Sequence, residues 1–180
     1  MLQPTEALRA LTEPLGVPFS CFVDSGYLLA LQRQKNQYPE LGGHFDAIAN
    51  QLRDLVANGH DVEMHIHPHW EDSHFDGETW RIDTTRYRLA DFSEAEVDDI
   101  VGRYTQILFD ITGRKPVAYR AGGWSAQPFP PIGKALSGQG IFTDSTVYPG
   151  GYYDSENQAF DFREVPPFAS EYRFSEDLTL

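Results

Sequence analysis

Cysteine is nearly missing: Cys21 stands alone among 180 residues, which excludes an intramolecular disulfide framework and a cysteine-based zinc finger. Basic residues are scarce as well. The 14 Lys and Arg face 27 Asp and Glu, a formal net charge of −13. That balance speaks against a general nucleic-acid binder, whose phosphate contacts need clustered Lys and Arg. It also speaks against docking on anionic lipid. No apolar run approaches the roughly 20 residues needed to span a bilayer. The opening MLQPTEALRA has neither the basic start nor the apolar stretch of a signal peptide, which favours the cytoplasm. Repeats, low-complexity tracts and linkers are absent, so the chain reads as one domain over residues 1–180.

What is present is a core supply, 41% apolar residues with 13% aromatics, arranged in alternating helices and strands. Thr5 is placed to cap a short helix carrying Leu8, Leu11 and Leu15, with Pro14 ending it. VPFSCFVD (17–24) reads as a buried strand, with Cys21 as a core thiol. A helix over YLLALQRQK follows. Another, from His44 to Gly59, carries Phe45, Ile48, Leu52, Leu55 and Val56 at helical spacing. DVEMHIH (61–67) is a strand that leads into a long aromatic and acidic loop reaching about residue 92. Ser93 with Glu96 forms a capping box and opens the strongest helix, which Gly113 closes. PVAYR (116–120) and IFTDSTV (141–147) read as strands flanking a weak helix through Ile132 and Leu136, and REVPPF as the start of one more. Such alternation implies βαβ crossovers and a parallel sheet or barrel, with the site at the carboxyl ends of the strands.

Those ends are polar throughout. They fall on Asp24, the cluster from His65 to His69, Arg120 and Asp144, as a single shared site would require. In HIHPH, His65, His67 and His69 occupy i, i+2 and i+4, so an extended chain points all three imidazoles to one side. Pro68 turns the chain and can redirect His69. Neutral imidazole is the commonest zinc ligand, and a catalytic zinc keeps three protein ligands and a water. A histidine-rich polar loop without a metal is the plainer alternative. His60, just after the helix-ending Gly59, reads as a solvated turn residue, and His44 as a helix N-terminal one. Asp24, in its plain reading, starts the turn in Asp-Ser-Gly-Tyr. Arg120 as a surface ion pair, Trp124 as ordinary packing and Asp144 as a turn former are the corresponding plain readings.

GHDVEMHIHPH resembles the second motif of the polysaccharide deacetylases, chitooligosaccharide-deacetylase-like metal-dependent carbohydrate esterases. That motif carries two metal-binding histidines four apart, here His65 and His69. Pro68 lies before the second histidine, where the family often has a proline after it. YRAGGWS (119–125) is similar to the third motif, and GIFTDSTVYPG (140–150) to the fourth strand-end segment. The resemblance implies an α/β fold, an incomplete or distorted parallel (β/α) barrel. It further implies a divalent metal, zinc foremost, on His65 and His69, with Asp24 at the neighbouring strand end as the candidate that would rebuild the missing carboxylate ligand. By the same resemblance Arg120 would orient a catalytic carboxylate, Asp144 support the site, and Trp124 line a groove for an acetylated glycan or oligosaccharide, while Trp70, in a loop after a strand end, is placed to stack on a sugar as well.

Two family motifs have no counterpart. The adjacent aspartates that supply base and metal ligand do not precede VPFSCFVD, and Asp98–Asp99 reads as a solvated helix face. The leucine–histidine that supplies the acid is not found in EYRFSEDLTL. The resemblance therefore implies a domain truncated at both ends, or a rebuilt site. The expected activity is metal-dependent hydrolysis of N- or O-acetyl groups on carbohydrate. A catalytically incomplete carbohydrate-binding or regulatory module, and an amidohydrolase acting on a small amide, are the alternatives.

Overall fold

A computed structural model describes residues 2–167 and 171–179. The chain begins with helix α1 (Leu2–Thr12), strand β1 (Ser20–Asp24), helices α2 (Ser25–Gln34) and α3 (Pro39–Ala57), and strand β2 (Asp61–Ile66). A two-residue hairpin follows, β3 (His74–Phe75) with β4 (Trp80–Arg81), then α4 (Glu94–Thr112) and β5 (Ala118–Ala121). Helix α5 (Pro130–Gly138), β6 (Thr143–Asp144), and a second hairpin, β7 (Tyr152–Asp154) with β8 (Ala159–Asp161), complete it.

The central sheet is parallel, in the order β1-β2-β5-β6. Strand order follows chain order, so crossovers of the usual right hand carry every connecting helix to one face. Helices α2, α3 and α4 indeed all pack on β2 and on one another. Val23, Met64, Ile66 and Tyr119 supply the strand side of this core. Leu31, Leu55, Tyr104 and Leu108 supply the helix side, and all four are fully buried. Each such side chain contributes roughly 1.5–3 kcal/mol of transfer free energy. The expected mixed α/β architecture with a parallel sheet is present. Among the described residues the sheet has four strands with β1 and β6 at its edges, and it does not close into a barrel.

Local sequence explains most element ends. Ser93 and Glu96 cap α4 reciprocally: Glu96 Oε2 accepts the Ser93 amide at 2.8 Å, and Ser93 Oγ accepts the Glu96 amide at 3.4 Å. Gly113 ends α4 in the left-handed region at φ +72°. Helix α3 starts at Pro39, five residues before the His44 expected to open it, because proline is well suited to the first helical turn. His44 therefore lies inside the helix, and its Nδ1 contacts the Tyr27 hydroxyl at 3.2 Å.

Three further expectations are corrected. His60 is not a solvated turn residue; it is 1% exposed. Its ring packs on Phe19 at a 4.0 Å centroid distance, its Nδ1 accepts the Phe19 amide, and its Nε2 faces Glu13 at 3.4 Å. The run IFTDSTV forms only the two residues of β6, because the Asp144 carboxylate accepts the Thr146 amide and hydroxyl and turns the chain. REVPPF starts no strand through Pro167 (Phe168 lies outside the described residues), where two prolines remove ladder donors. Cys21 is half-buried against the core, and burial raises its thiol pKa.

Candidate functional site

The register of the sheet assembles the strand ends. Asp24 on β1 is paired with His65 on β2, and His65 with Arg120 on β5. Parallel neighbours in register present their side chains to the same face, so the three form one row at the carboxyl ends of adjacent strands. Met64 and Tyr119, one step back, point the other way into the helix-covered core. Asp144 falls outside the row. It is in register with Tyr119, and a one-residue step reverses the face. Its carboxylate holds Thr146, whose hydroxyl oxygen in turn accepts the Ala121 amide at 2.9 Å. Burial raises the Asp144 pKa.

Asp24 caps α2, accepting the Tyr27 amide at 3.3 Å through Oδ1, while the Trp70 indole N–H donates to Oδ2 at 2.8 Å. Burial pushes its pKa up to about 6, against the opposing pull of these bonds and of the Gly26 and His67 amides. Trp70 is thus a support for Asp24. Its ring packs between Tyr27, His69 and Trp80, and its carbonyl accepts Arg33 Nη2 at 2.7 Å. Arg120 extends from the row to Ser145, donating to its carbonyl at 3.1 Å and its hydroxyl at 2.8 Å. The guanidinium lies 4.6 Å above the centre of the Phe22 ring. A cavity of 680 Å³ opens beside it, lined by Ser145, Val147, Glu171 and Arg173 among others.

The three imidazoles lie side by side, with ring centroids 4.7 Å apart for His65 and His67 and 5.3 Å for His67 and His69. His65 Nδ1 hydrogen-bonds the Arg120 carbonyl at 2.8 Å, which makes Nδ1 the donor and leaves Nε2 as the free acceptor. Nδ1 of His67 and Nδ1 of His69 are buried without a partner. An orphaned buried polar atom costs about 1–3 kcal/mol. Burial lowers the pKa of all three, and the neighbouring His65 and His69 charges help push His67 down to about 4. All three are therefore neutral at pH 7, the form that binds metal. The imidazoles are donors of the type a divalent cation such as zinc takes, one anchored from behind and two with unmet capacity, while both oxygens of the Asp24 carboxylate are already engaged by Tyr27 and Trp70. Convergence is incomplete, since no group of three or more His, Cys, Asp or Glu among the described residues is arranged to hold an ion.

Several residues that shape the site carried no sequence signal. Glu71 anchors the turn bearing His69 and Trp70, accepting Arg103 Nη2 and the Tyr104 hydroxyl, both at 2.9 Å. Tyr87 stacks on His69 at 5.7 Å, with an interplanar angle of 5°. Glu63 is buried on the central strand and accepts the Val117 and Ala118 amides at 2.8 and 2.7 Å, tying down the start of β5. The Gly-Gly pair before Trp124 has a steric reason. A Cβ on Gly122 would lie 2.5 Å from the Ile66 carbonyl and 2.6 Å from His67 Nδ1. On Gly123, at φ +56°, it would meet Gln158 and Tyr87 at 2.8 and 2.9 Å. Trp124 itself has φ +59° and projects its indole outward.

No protein-family model matches this chain, and no curated protein does. Among solved structures, the chain is similar to a putative polysaccharide deacetylase from Mycobacterium smegmatis, at 22% identity and a TM-score of 0.46. The match covers 80% of this chain and 38% of that one, so the present chain spans well under half of the relative's length.

Proposed function

We propose that this site performs metal-assisted hydrolysis of an acetyl group carried by a sugar. The observation that carries the reading is the row Asp24–His65–Arg120, joined by two buried imidazole nitrogens that lack partners. The motif resemblance of GHDVEMHIHPH and YRAGGWS supplies the reaction class. His65, His69 and Asp24 would hold the cation. When bound, it would polarise the acyl carbonyl and lower the pKa of a coordinated water.

The chain's own groups do the rest. The Arg120 carbonyl fixes the His65 ring and its tautomer. The Trp70 indole fixes the Asp24 carboxylate. Arg120 and Asp144 frame the β5–β6 end, beside the cavity at Ser145. Trp124, exposed in the turn after β5, offers a flat ring on the surface it shares with Tyr148. Zinc content and acetate release from an acetylated chitooligosaccharide test the reading. Wild type retains the metal and releases acetate, and His65→Ala and His69→Ala each lose both. Unchanged metal content in these variants sinks the assignment.

A second reading, a carbohydrate-binding module without hydrolysis, is favoured by one feature. Arg120 is taken up by Ser145 and the Phe22 face rather than by a carboxylate. Wild type that binds metal and glycan but releases no acetate selects it.

A further inference from the structure

The hairpin β7–β8 belongs to no recognised motif, yet it braces the turn that leaves the site. Gln158 Nε2 donates to the Gly123 carbonyl at 2.6 Å, and Gln127 bonds both the amide and the carbonyl of Asp161. Its front face continues the aromatic surface that Trp124 begins. Trp124 is 46% exposed, Tyr148 41% and Tyr153 49%, and all three surround the buried Phe160. Ring centroids lie 5.5 Å apart for Trp124 and Tyr148, 5.8 Å for Trp124 and Phe160, and 6.3 Å for Tyr153 stacked on Phe160. Two successive left-handed residues, Gly123 and Trp124, present the indole. Such backbone strain concentrates at functional surfaces.

We infer that Trp124, Tyr148 and Tyr153 form a stacking platform for the pyranose rings of a neutral glycan chain, outside the acetyl-binding row. The inference rests on the reading of the site as one that acts on carbohydrate. Exposed rings on and beside a braced hairpin supply contact area at low entropic cost, and because Trp124 and Tyr148 are inclined at 68° each ring would take the apolar C–H face of a different sugar unit. Charge selects a neutral ligand. Glu156 is exposed at the tip of the hairpin, Asp154 lies on its back face, and the chain carries a net charge of −13. The nearby cation, Arg163, is held on the back of the hairpin by Asp161 and by the Tyr152 ring at 4.1 Å. A polyanion meets repulsion there.

Tyr152 shares that back face and serves as an internal control. The test is calorimetric titration of the full chain with hexa-N-acetylchitohexaose, di-N-acetylchitobiose and hexagalacturonate. Tyr153→Ala weakens hexasaccharide binding by about tenfold, with little effect on the disaccharide, and Tyr148→Ala gives a second reading should the first variant not fold. Tyr152→Ala leaves binding unchanged. Hexasaccharide affinity that is absent in wild type, or insensitive to both front-face variants, overturns the platform. Tighter binding of hexagalacturonate overturns the neutral class. A wild-type dimer that Tyr153→Ala dissociates shows the patch to be covered by a second copy instead. Hexasaccharide binding that depends on Tyr153 in a chain releasing no acetate leaves the platform standing and removes only the hydrolase.

Discussion

The two faces of the central sheet are built from alternate residues of the same strands, yet they are organised by different forces. On the helix side, Val23, Met64, Ile66 and Tyr119 are closed off by α2, α3 and α4 and are held chiefly by packing. On the other side, Asp24, Glu63, His65 and Arg120 are organised by directed hydrogen bonds to backbone, indole and hydroxyl groups. A polar group pays for burial unless it is partnered, so this second face satisfies its atoms almost completely. The exceptions, Nδ1 of His67 and Nδ1 of His69, cluster where the strand leaves the sheet. A third unpartnered buried atom, Thr105 Oγ1, lies on α4, so the helix side carries one isolated orphan and the polar face two that adjoin.

Adjacent residues on β2 can break this contrast. Met64→Ala should cost about 2–5 kcal/mol in denaturant unfolding through lost transfer energy and a cavity, while the folded variant still binds metal. His65→Ala should cost only about 1 kcal/mol, the worth of its bond to the Arg120 carbonyl, and abolish metal binding. Glu63→Ala tests the polar face as structure. Loss of two amide bonds to a carboxylate should cost about 2–3 kcal/mol, with hydrogen exchange fastest at Val117 and Ala118. Gly122→Ala should cost roughly 1–3 kcal/mol and shift the His67 ring resonances, because the added methyl meets that ring and the Ile66 carbonyl. Ser93→Ala lies far from both faces. It should cost about 1 kcal/mol in thermal unfolding and leave metal binding untouched.

Much of the helix face was legible in the sequence, because helical periodicity and the Ser93–Glu96 box are local signals. The strand ends were legible for the same reason: apolar runs stop at Asp24, in the histidine cluster and at Arg120. What escaped notice depends on partners distant in the chain. His60 is buried because Phe19 and Glu13 cover it, 41 and 47 residues away. Glu63 reads as an ordinary polar strand residue until β5 arrives to donate its amides. The hairpin β7–β8 has only three residues in each strand, too few to show alternation, and no Asn-Gly or Asp-Gly turn. Asp144 was placed correctly at a strand end, but only the register shows that it faces away from the row.

If the proposed metal site is right, metal binding belongs to the polar face and not to the helix face. Zinc titration by calorimetry, run on wild type, Met64→Ala and His65→Ala under conditions where all three are folded, tests it most directly. Wild type and Met64→Ala should each bind about one equivalent, and His65→Ala none. Equal binding by wild type and His65→Ala, or loss confined to Met64→Ala, would contradict it.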